Sequence, residues 1–239
     1  MPSTPIPGPL VRSRFVQRYN RFLLQVRLED SGHLADVHMA DPGRLRELLL
    51  PEKLVWLKPA ANPNRKTRWT AVLVETPSGR DLVSLDTTLP NRLVHQALAD
   101  EAMEEFGGWM LERTEISIGR SRLDFLLSRD DGRKLALEVK SVTLVEEGVG
   151  LFPDAVTERG ARHVRELAEI AGREGWEAAV LFVLQRSDAR EIRAAHAIDP
   201  AFARALEEAR QAGVRILGRR CQISLDRVEL GPPVPARVG

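Results

Sequence analysis

The sequence predicts two consecutive domains: a small β-barrel over residues 1–86 and a mixed α/β domain over residues 87–239. Two observations lead to this division. The first part contains short runs of β-forming residues separated by turn residues, whereas the second alternates amphipathic helices with apolar strands. A chain of 239 residues accommodates two small domains. Its composition, 43% hydrophobic and 29% charged, is typical of folded globular proteins and excludes a wholly disordered chain.

The first domain is predicted to be a five-stranded barrel. Met1–Pro9 contains four prolines and is expected to be an extended arm. The expected elements are strands over Arg21–Leu28 and Gly32–Met39, a helix over Arg44–Leu50, and strands over Lys53–Lys58, Arg68–Glu75 and Asp81–Asp86. This order is that of an oligonucleotide-binding (OB) barrel, and an SH3-like barrel is the alternative.

The second domain is predicted to be a layered α/β structure. The expected elements are a helix over Asn91–Phe106, strands over Thr114–Gly119, Ser121–Ser128 and Lys134–Val142, a helix over Thr157–Gly172, a strand over Ala178–Leu184, a helix over Ala201–Gly213 and a strand over Val214–Leu217. The last two helix–strand steps suit crossover connections within one sheet.

Composition also limits partners and location. The net charge is only +1, but residues 1–85 carry 13 basic and 8 acidic side chains, so the basic excess lies at the front of the chain. Cys221 is the only cysteine, which excludes an intrachain disulfide and a cysteine-based zinc site. The longest apolar run, Ala178–Leu184, is too short to cross a bilayer. We therefore expect a cytoplasmic protein with no membrane partner and no disulfide-linked partner.

A predicted hairpin carries the main chemical signal. Asp131-Gly132 marks the turn, and pairing Ser128 with Lys134 places Asp124 directly opposite Glu138. Opposed side chains in an antiparallel pair have Cβ atoms about 4.5–5.5 Å apart, and like charges there destabilise the pair. The two carboxylates therefore need a proton, a basic partner or a cation.

Lys140 lies two residues after Glu138 and is predicted to share its face of the strand. Two carboxylates suit Mg²⁺ or Mn²⁺, and a nearby lysine can position or deprotonate a water molecule, as phosphodiester hydrolysis requires. Two alternatives stay open. The three residues could form a simple ion-pair ladder on a solvated sheet, or a register shifted by two could place Asp124 opposite Lys140.

The spacing Asp-x(13)-Glu-x-Lys on consecutive strands, after a helix and a strand, resembles that of the PD-(D/E)xK nuclease superfamily. Longer motifs resemble those of the sugar fermentation stimulation protein A family. They are Asn20-Arg21-Phe22, Asp41-Pro42-Gly43-Arg44-Leu45, Asp86-Thr87-Thr88 with Pro90-Asn91, Ser121-Arg122-Leu123-Asp124-Phe125, Glu138-Val139-Lys140-Ser141-Val142-Thr143-Leu144 and the segment 152–163. One departure is that Leu123, rather than proline, precedes Asp124.

This resemblance implies an N-terminal OB-like β-barrel followed by a C-terminal PD-(D/E)xK nuclease-like α/β domain that binds DNA. It also implies that Asp124 and Glu138 hold the metal and that Lys140 handles the water. The superfamily often places a further acid nearby, for which the candidates are Glu101, Glu104, Glu105 and Glu115.

Basic residues next to aromatic ones are the candidates for nucleic-acid binding, because phosphates pair with cations and unpaired bases stack on rings. An alternative is that the aromatic rings are barrel core, above all Phe22. The predicted contacts of this kind are Arg14, Arg18, Arg21, Arg65, Lys66 and Arg68 in the barrel. In the second domain, Arg159 and His163 share one face of a predicted helix whose start favours a phosphate, with a solvated basic face as the alternative. Gln185 follows the buried strand Ala178–Leu184, at an end where sheet ligands usually bind, with an ordinary polar cap as the alternative.

The function predicted from sequence is DNA binding with metal-dependent phosphodiester hydrolysis. A non-catalytic DNA-binding regulator, linked to sugar-utilisation genes, is the alternative. RNA is a third possible ligand. The sequence does not distinguish single-stranded from double-stranded DNA, and it leaves the oligomeric state open.

Overall fold

The structure is a computed structural model that describes residues 2–62, 64–119 and 121–238. A barrel and a layered α/β domain follow each other along the chain, as the sequence predicts.

The barrel consists of five strands that close on themselves. Strands β2 to β6 follow the order β4-β3-β2-β5-β6, and a parallel pairing between β4 and β6 closes the ring. A short strand, β7, continues the sheet beyond β6. The strands are β2 (Val11–Asn20), β3 (Leu23–Leu28), β4 (Leu34–Met39), β5 (Leu54–Pro59), β6 (Trp69–Glu75) and β7 (Leu82–Ser84).

The predicted helix over Arg44–Leu50 is wrong, because this segment forms only a tight turn. Arg18 explains the difference, since its guanidinium donates to the carbonyls of Gly43 and Arg44, at 2.7 and 2.8 Å. These two hydrogen bonds hold the backbone at the start of the segment in its turn conformation. Leu45, with a φ of 48°, also leaves the helical region.

The second domain is built on a seven-stranded sheet with helices on both faces. The strand order is β1-β16-β15-β13-β10-β9-β8, and β10, β13 and β15 are parallel. The elements are β1 (Ser3–Pro5), α1 (Leu89–Ala99), β8 (Met110–Ile118), β9 (Ser121–Ser128), β10 (Lys134–Val142), α2 (Glu158–Ala171), β13 (Trp176–Leu184), α3 (Pro200–Gln211), β15 (Arg215–Ile223) and β16 (Arg227–Pro233). Helix α1 packs on one face, and α2 and α3 pack on the other.

Several elements differ from the sequence prediction. The first helix ends at Ala99, and Glu101, with a φ of 50°, separates it from a 3₁₀ turn over Glu104–Phe106. A small second sheet, in the order β11-β12-β14-β17, was not predicted. Its strands are β11 (Val145–Glu146), β12 (Val149–Phe152), β14 (Glu191–Ala194) and β17 (Ala236–Arg237). Runs of two to four residues are too short to show alternation.

The two parts of the chain contact each other directly. Strand β1, at the start of the chain, pairs with β16 of the large sheet. At the end of the barrel, the Ser84 N–H donates to the Gln185 carbonyl at 3.1 Å. The Gln185 side chain in turn donates to the carbonyl of Asp86 at 3.1 Å. These contacts hold the barrel beside the carboxyl end of β13.

Candidate active site

The β9–β10 hairpin has the register that the sequence predicts. Ser128 pairs with Lys134, and the ladder continues in step to the pair Phe125 and Leu137. The next pair in this register is Asp124 with Glu138, where the regular ladder ends. The two carboxylates therefore lie at the point where the strands separate.

Asp124 occupies this fork between the strands. In an unbroken ladder the Val139 N–H would pair with the carbonyl of Leu123, but here it donates to Asp124 Oδ2 at 2.7 Å. The carboxylate thus replaces a backbone acceptor and keeps the buried N–H satisfied.

Asn91 of α1 fixes the other oxygen of Asp124. Its side-chain amide donates to Asp124 Oδ1 at 2.6 Å. Asn91 lies in the first turn of α1, so the helix that packs on this face also orients the carboxylate.

Glu138 is almost completely buried, with 4% of its surface exposed. Its Oε1 accepts from Lys140 Nζ at 2.5 Å and from His163 Nδ1 at 2.7 Å. Its Oε2 is also buried and has no hydrogen-bond partner among the residues that the structure describes. The carboxylate is therefore held by one oxygen and leaves the other free.

His163 of α2 is as buried as Glu138, at 3% exposed. Its other ring nitrogen, Nε2, lies 3.4 Å from Arg159 Nε. Because a guanidinium can only donate, Nε2 is the acceptor, and Nδ1 carries the proton that is donated to Glu138. The three side chains form a chain of contacts from the exposed Arg159 to the buried carboxylate.

The two carboxylates have opposite pKa shifts. Burial raises the pKa of Asp124, and the negative charge of Glu138 raises it further. Burial also acts to raise the pKa of Glu138, but the hydrogen bond from His163 and the positive charge of Lys140 outweigh it, so that this pKa is lowered. Glu138 is thus stabilised as a carboxylate, while Asp124 lacks enough positive charge nearby.

A cation would supply that missing charge. The unpartnered Oε2 of Glu138 and the carboxylate of Asp124 are hard oxygen donors of the kind that divalent cations prefer. The residues present therefore fit a divalent ion. Within the described ranges, however, no group of three or more His, Cys, Asp or Glu side chains is arranged to hold a metal ion. The described residues therefore offer no third ligand of these types beside the two acids.

Helix α2 begins beside this site. Thr157 is its N-cap and accepts the N–H of Gly160 at 3.0 Å. A Cβ on Gly160 would lie 2.7 Å from Thr157 Cγ2, which explains a glycine within the first helical turn. The preceding Asp154 accepts the N–H of Arg44 at 2.6 Å and thereby joins the barrel loop to this helix start.

Three of the predicted DNA contacts in the barrel are occupied in holding the fold. Arg14 donates to the Glu52 carbonyl at 2.9 Å and forms an ion pair with Glu29. Arg18 holds the loop after β4, and Arg65 donates to the Trp69 carbonyl at 2.7 Å. Their charged groups are therefore engaged with the protein.

Four other predicted contacts, Arg21, Lys66, Arg68 and Arg159, are exposed. Of these, only Arg159 lies next to the two carboxylates, through its contact with His163. Gln185 is completely buried and also donates to Ser141 Oγ at 2.9 Å. Gln185 directly follows β13 and links the barrel, through Asp86, to Ser141, the residue after Lys140 on β10.

The candidates for an additional acid have other partners or are exposed, although Glu115 lines one cavity together with Asp124. Glu105 forms a bidentate ion pair with Arg219, at 2.8 and 2.7 Å. Glu115 forms an ion pair with Arg122. Glu101 and Glu104 are exposed around the 3₁₀ turn.

Comparison with known proteins agrees with this architecture. The family model described as the Sugar fermentation stimulation protein RE domain matches residues 88–227, and the model of the SfsA N-terminal OB domain matches residues 16–85. This chain belongs to the sugar fermentation stimulation protein family. The membership confirms the family predicted from the sequence, and the two matches confirm its division into an N-terminal OB barrel and a C-terminal α/β domain.

Relatives in the sugar fermentation stimulation protein family match along nearly the whole chain. The homologue from Shouchella clausii is 49% identical over 96% of this chain and 98% of its own. The homologue from Moorella thermoacetica is 43% identical over 98% of this chain and 99% of its own. The solved structure of Pyrococcus furiosus SfsA in complex with Ca²⁺ is 26% identical, covers 99% of both chains and has a TM-score of 0.86.

Sequence reasoning missed two contacts in this member of the family. The sequence places Asn91 in a motif without indicating its partner, and it predicts that His163 contacts a phosphate rather than Glu138. Both contacts join residues 25 or more positions apart, which strand alternation does not reveal.

In the described part of the chain, no helix is long and apolar enough to cross a membrane.

Proposed function

We propose that this protein is a metal-dependent nuclease that hydrolyses phosphodiester bonds in DNA at Asp124, Glu138 and Lys140. The observation that carries the proposal is that the two carboxylate oxygens of Glu138 have different surroundings. Lys140 and His163 share one oxygen, and the other is buried without a partner. A buried unsatisfied carboxylate oxygen is costly unless a ligand pairs with it.

Each residue has a separate role in this proposal. Asp124 and Glu138 hold a divalent cation, which supplies electrostatic stabilisation of the charge that develops on the phosphate. Lys140 Nζ, held by Glu138, positions the attacking water and stabilises negative charge beside it. Asn91 and His163 hold the two carboxylates in place from α1 and α2.

Mg²⁺ or Mn²⁺ is the cation that we propose. The structure of the Pyrococcus furiosus relative contains Ca²⁺, another hard cation that prefers oxygen ligands. The donor set here contains only carboxylate oxygens and no thiolate, which favours the same class of metal ion.

DNA is the proposed substrate because exposed basic residues lie on both domains. Arg159 projects from the first turn of α2, where backbone N–H groups favour a phosphate. Arg21, Lys66 and Arg68 provide further exposed positive charge on the barrel. We propose that Arg14, Arg18 and Arg65 stabilise the backbone of this surface. The buried His163 and Gln185 hold the residues beneath it in position.

The test is cleavage of labelled single-stranded and double-stranded DNA by the purified protein with Mg²⁺ or Mn²⁺. Asp124→Asn and Glu138→Gln should abolish cleavage, and Lys140→Met should reduce its rate by about 10²–10⁴-fold. Asp131→Asn, in the exposed turn of the same hairpin, is the matched control and should cut like the wild type. Cleavage that persists in the Asp124 and Glu138 variants would refute this assignment.

A second candidate function is a DNA-binding regulator that retains the fold without catalysis. It is favoured because the described part of the chain places only two acids in the cluster, and one of them is already paired with Lys140 and His163. This candidate predicts DNA binding that is unchanged by a chelator and by Lys140→Met, together with no cleavage by the wild type.

A further inference from the structure

A cleft of about 540 Å³ lies between the barrel and the α/β domain, next to the candidate active site. Its barrel wall contains Arg21 and the loop over residues 41–44. Its opposite wall contains residues 141–144, which directly follow Lys140, and residues 151–157, which lead into α2. One wall is therefore the continuation of the strand that carries Glu138 and Lys140.

The cleft combines groups that suit a nucleotide chain. Arg21 and Arg44 are exposed cations on its barrel side. Thr143 and Thr157 place hydroxyl groups on the other side, and Val156 adds an apolar surface that is 67% exposed. Cations and hydroxyls bind phosphates, and apolar surface contacts sugars and bases.

Two carboxylates also line the cleft, but both are engaged. Asp41 Oδ1 accepts the N–H of Gly43 at 2.7 Å, and Asp154 Oδ2 accepts the N–H of Arg44 at 2.6 Å. The guanidinium of Arg18 lies beside this pair and offsets part of its charge.

The barrel hairpin at the edge of the cleft exposes two aromatic rings. Tyr19 is 50% exposed and Phe22 is 49% exposed, one on each side of Arg21 in the sequence. The alternative that Phe22 belongs to the barrel core is therefore wrong. By contrast, Phe15 on the same strand is 5% exposed and belongs to the barrel core.

A local irregularity accounts for the position of Tyr19. Arg18 pairs with Leu24 and Asn20 pairs with Leu23, so Tyr19 is an extra, unpaired residue in β2. Such a bulge redirects a side chain away from the regular alternation. Exposed aromatic rings beside a cation are the stacking surface that single-stranded nucleic acids use.

We propose that the hairpin over residues 19–22 and the adjoining cleft bind single-stranded DNA. Bases stack on Tyr19 and Phe22, and the backbone passes Arg21 and Arg44 toward Lys140. The cleft lies within the roughly 300–1,000 Å³ range of small-ligand sites. A cleft of this volume admits a nucleotide or two but is too small to enclose a double helix. Delivery of this strand to a cutting site rests on the proposed nuclease function, whereas its binding does not.

Fluorescence anisotropy in EDTA tests this binding without cleavage. The probes are a labelled mixed-sequence DNA strand, its duplex and the matching RNA strand. We expect the single DNA strand to bind about tenfold or more tightly than the duplex, and Tyr19→Ala/Phe22→Ala to weaken its binding by about tenfold or more. Leu34→Ala is the control, since Leu34 is 54% exposed at the far end of the β3–β4 pair and should leave binding unchanged.

A second measurement locates the strand. A DNA strand that carries 5-iodo-deoxyuridine should cross-link, on irradiation, to peptides containing residues 19–22. Equal or tighter binding of the duplex, tighter binding of the RNA strand, or a double variant that behaves like Leu34→Ala would each overturn the proposal. Single-strand binding in EDTA without cleavage in Mg²⁺ or Mn²⁺ would refute the nuclease function alone.

Discussion

His163 Nδ1 donates a hydrogen bond to Glu138 Oε1 at 2.7 Å, and both residues are at least 95% buried. Helix α2 thus determines the orientation of a carboxylate on strand β10. Because Lys140 uses the same oxygen, Oε2 of Glu138 is the only one left to bind a ligand.

We predict that His163→Ala weakens divalent-metal binding by about 10–100-fold, because partners that orient a metal ligand typically contribute this much. The same variant should lose about 1–3 kcal/mol of stability, the cost of removing a partner from a buried polar group. Isothermal titration with Mn²⁺ and urea denaturation measure the two effects.

His163→Asn should recover part of both losses, because its amide can donate from near the position of Nδ1. The control is His196→Ala, since His196 is exposed. Metal affinity in His163→Ala equal to that of the control would show that Glu138 needs no support from α2.

The sequence predicted the hairpin of the site better than its surroundings. The register of β9 and β10 follows from a short turn and from alternation, which are local features. The contacts of Asp124 with Asn91 and of Glu138 with His163 depend instead on how helices pack on the sheet. The wrong prediction of a helix over Arg44–Leu50 has the same origin. Arg18, which binds the carbonyl of Gly43, lies more than 20 residues earlier in the chain.

Asp41, which lies outside the candidate active site, should make the stability of the protein depend on pH. Burial raises its pKa, and the neighbouring Asp154 raises it further, against the opposing effects of the Gly43 N–H and Arg18. Above this raised pKa the carboxylate of Asp41 is charged in both states, and the charge is less favourable in the folded protein than in the unfolded chain. As the pH falls through the raised pKa, the folded state takes up a proton and this cost disappears.

We therefore predict that Asp41→Asn increases the free energy of unfolding at neutral pH. The advantage over the wild type should shrink as the pH is lowered toward the ordinary range of aspartate. The asparagine oxygen can still accept the N–H of Gly43, so the loop keeps its hydrogen bond. Urea denaturation at several pH values measures the difference, and the exposed Asp36→Asn, which should change little, is the control. An advantage that grows on acidification would contradict this account.

Substitution of Glu105 tests whether this acid stabilises the fold or takes part in catalysis. It forms a bidentate ion pair with Arg219, which is 6% exposed and also donates to the Gly231 carbonyl at 2.9 Å. Glu105→Ala would leave this guanidinium buried without its counter-charge, so we predict a loss of about 3–5 kcal/mol in urea denaturation.

Any DNA cleavage per folded molecule of Glu105→Ala should stay at the wild-type level, because Glu105 is outside the carboxylate cluster. Glu104→Ala is the matched control, since Glu104 is the exposed neighbour in the same 3₁₀ turn, and it should unfold like the wild type. A selective loss of cleavage in folded Glu105→Ala would place this acid in the reaction after all.

Gly43 tests the contact between the barrel and the start of α2. A Cβ at this position would lie 2.8 Å from both Asp154 Oδ2 and Asp41 Oδ1, which is closer than side chains tolerate. Gly43→Ala must therefore displace either the loop or these two carboxylates, and either movement disturbs the hydrogen bond from Arg44 N–H to Asp154. We predict a loss of about 1–3 kcal/mol, as for other overpacked sites, measured by urea denaturation.

Two further variants separate this steric effect from the general cost of replacing a glycine. Gly172→Ala, where the nearest neighbour of a new Cβ is 3.7 Å away, should change stability little. In an Asp154→Ala background, Gly43→Ala should cost less than in the wild type, because one of the two clashing oxygens is gone. Additive effects of the two substitutions would instead mean that the barrel loop and Asp154 do not constrain each other.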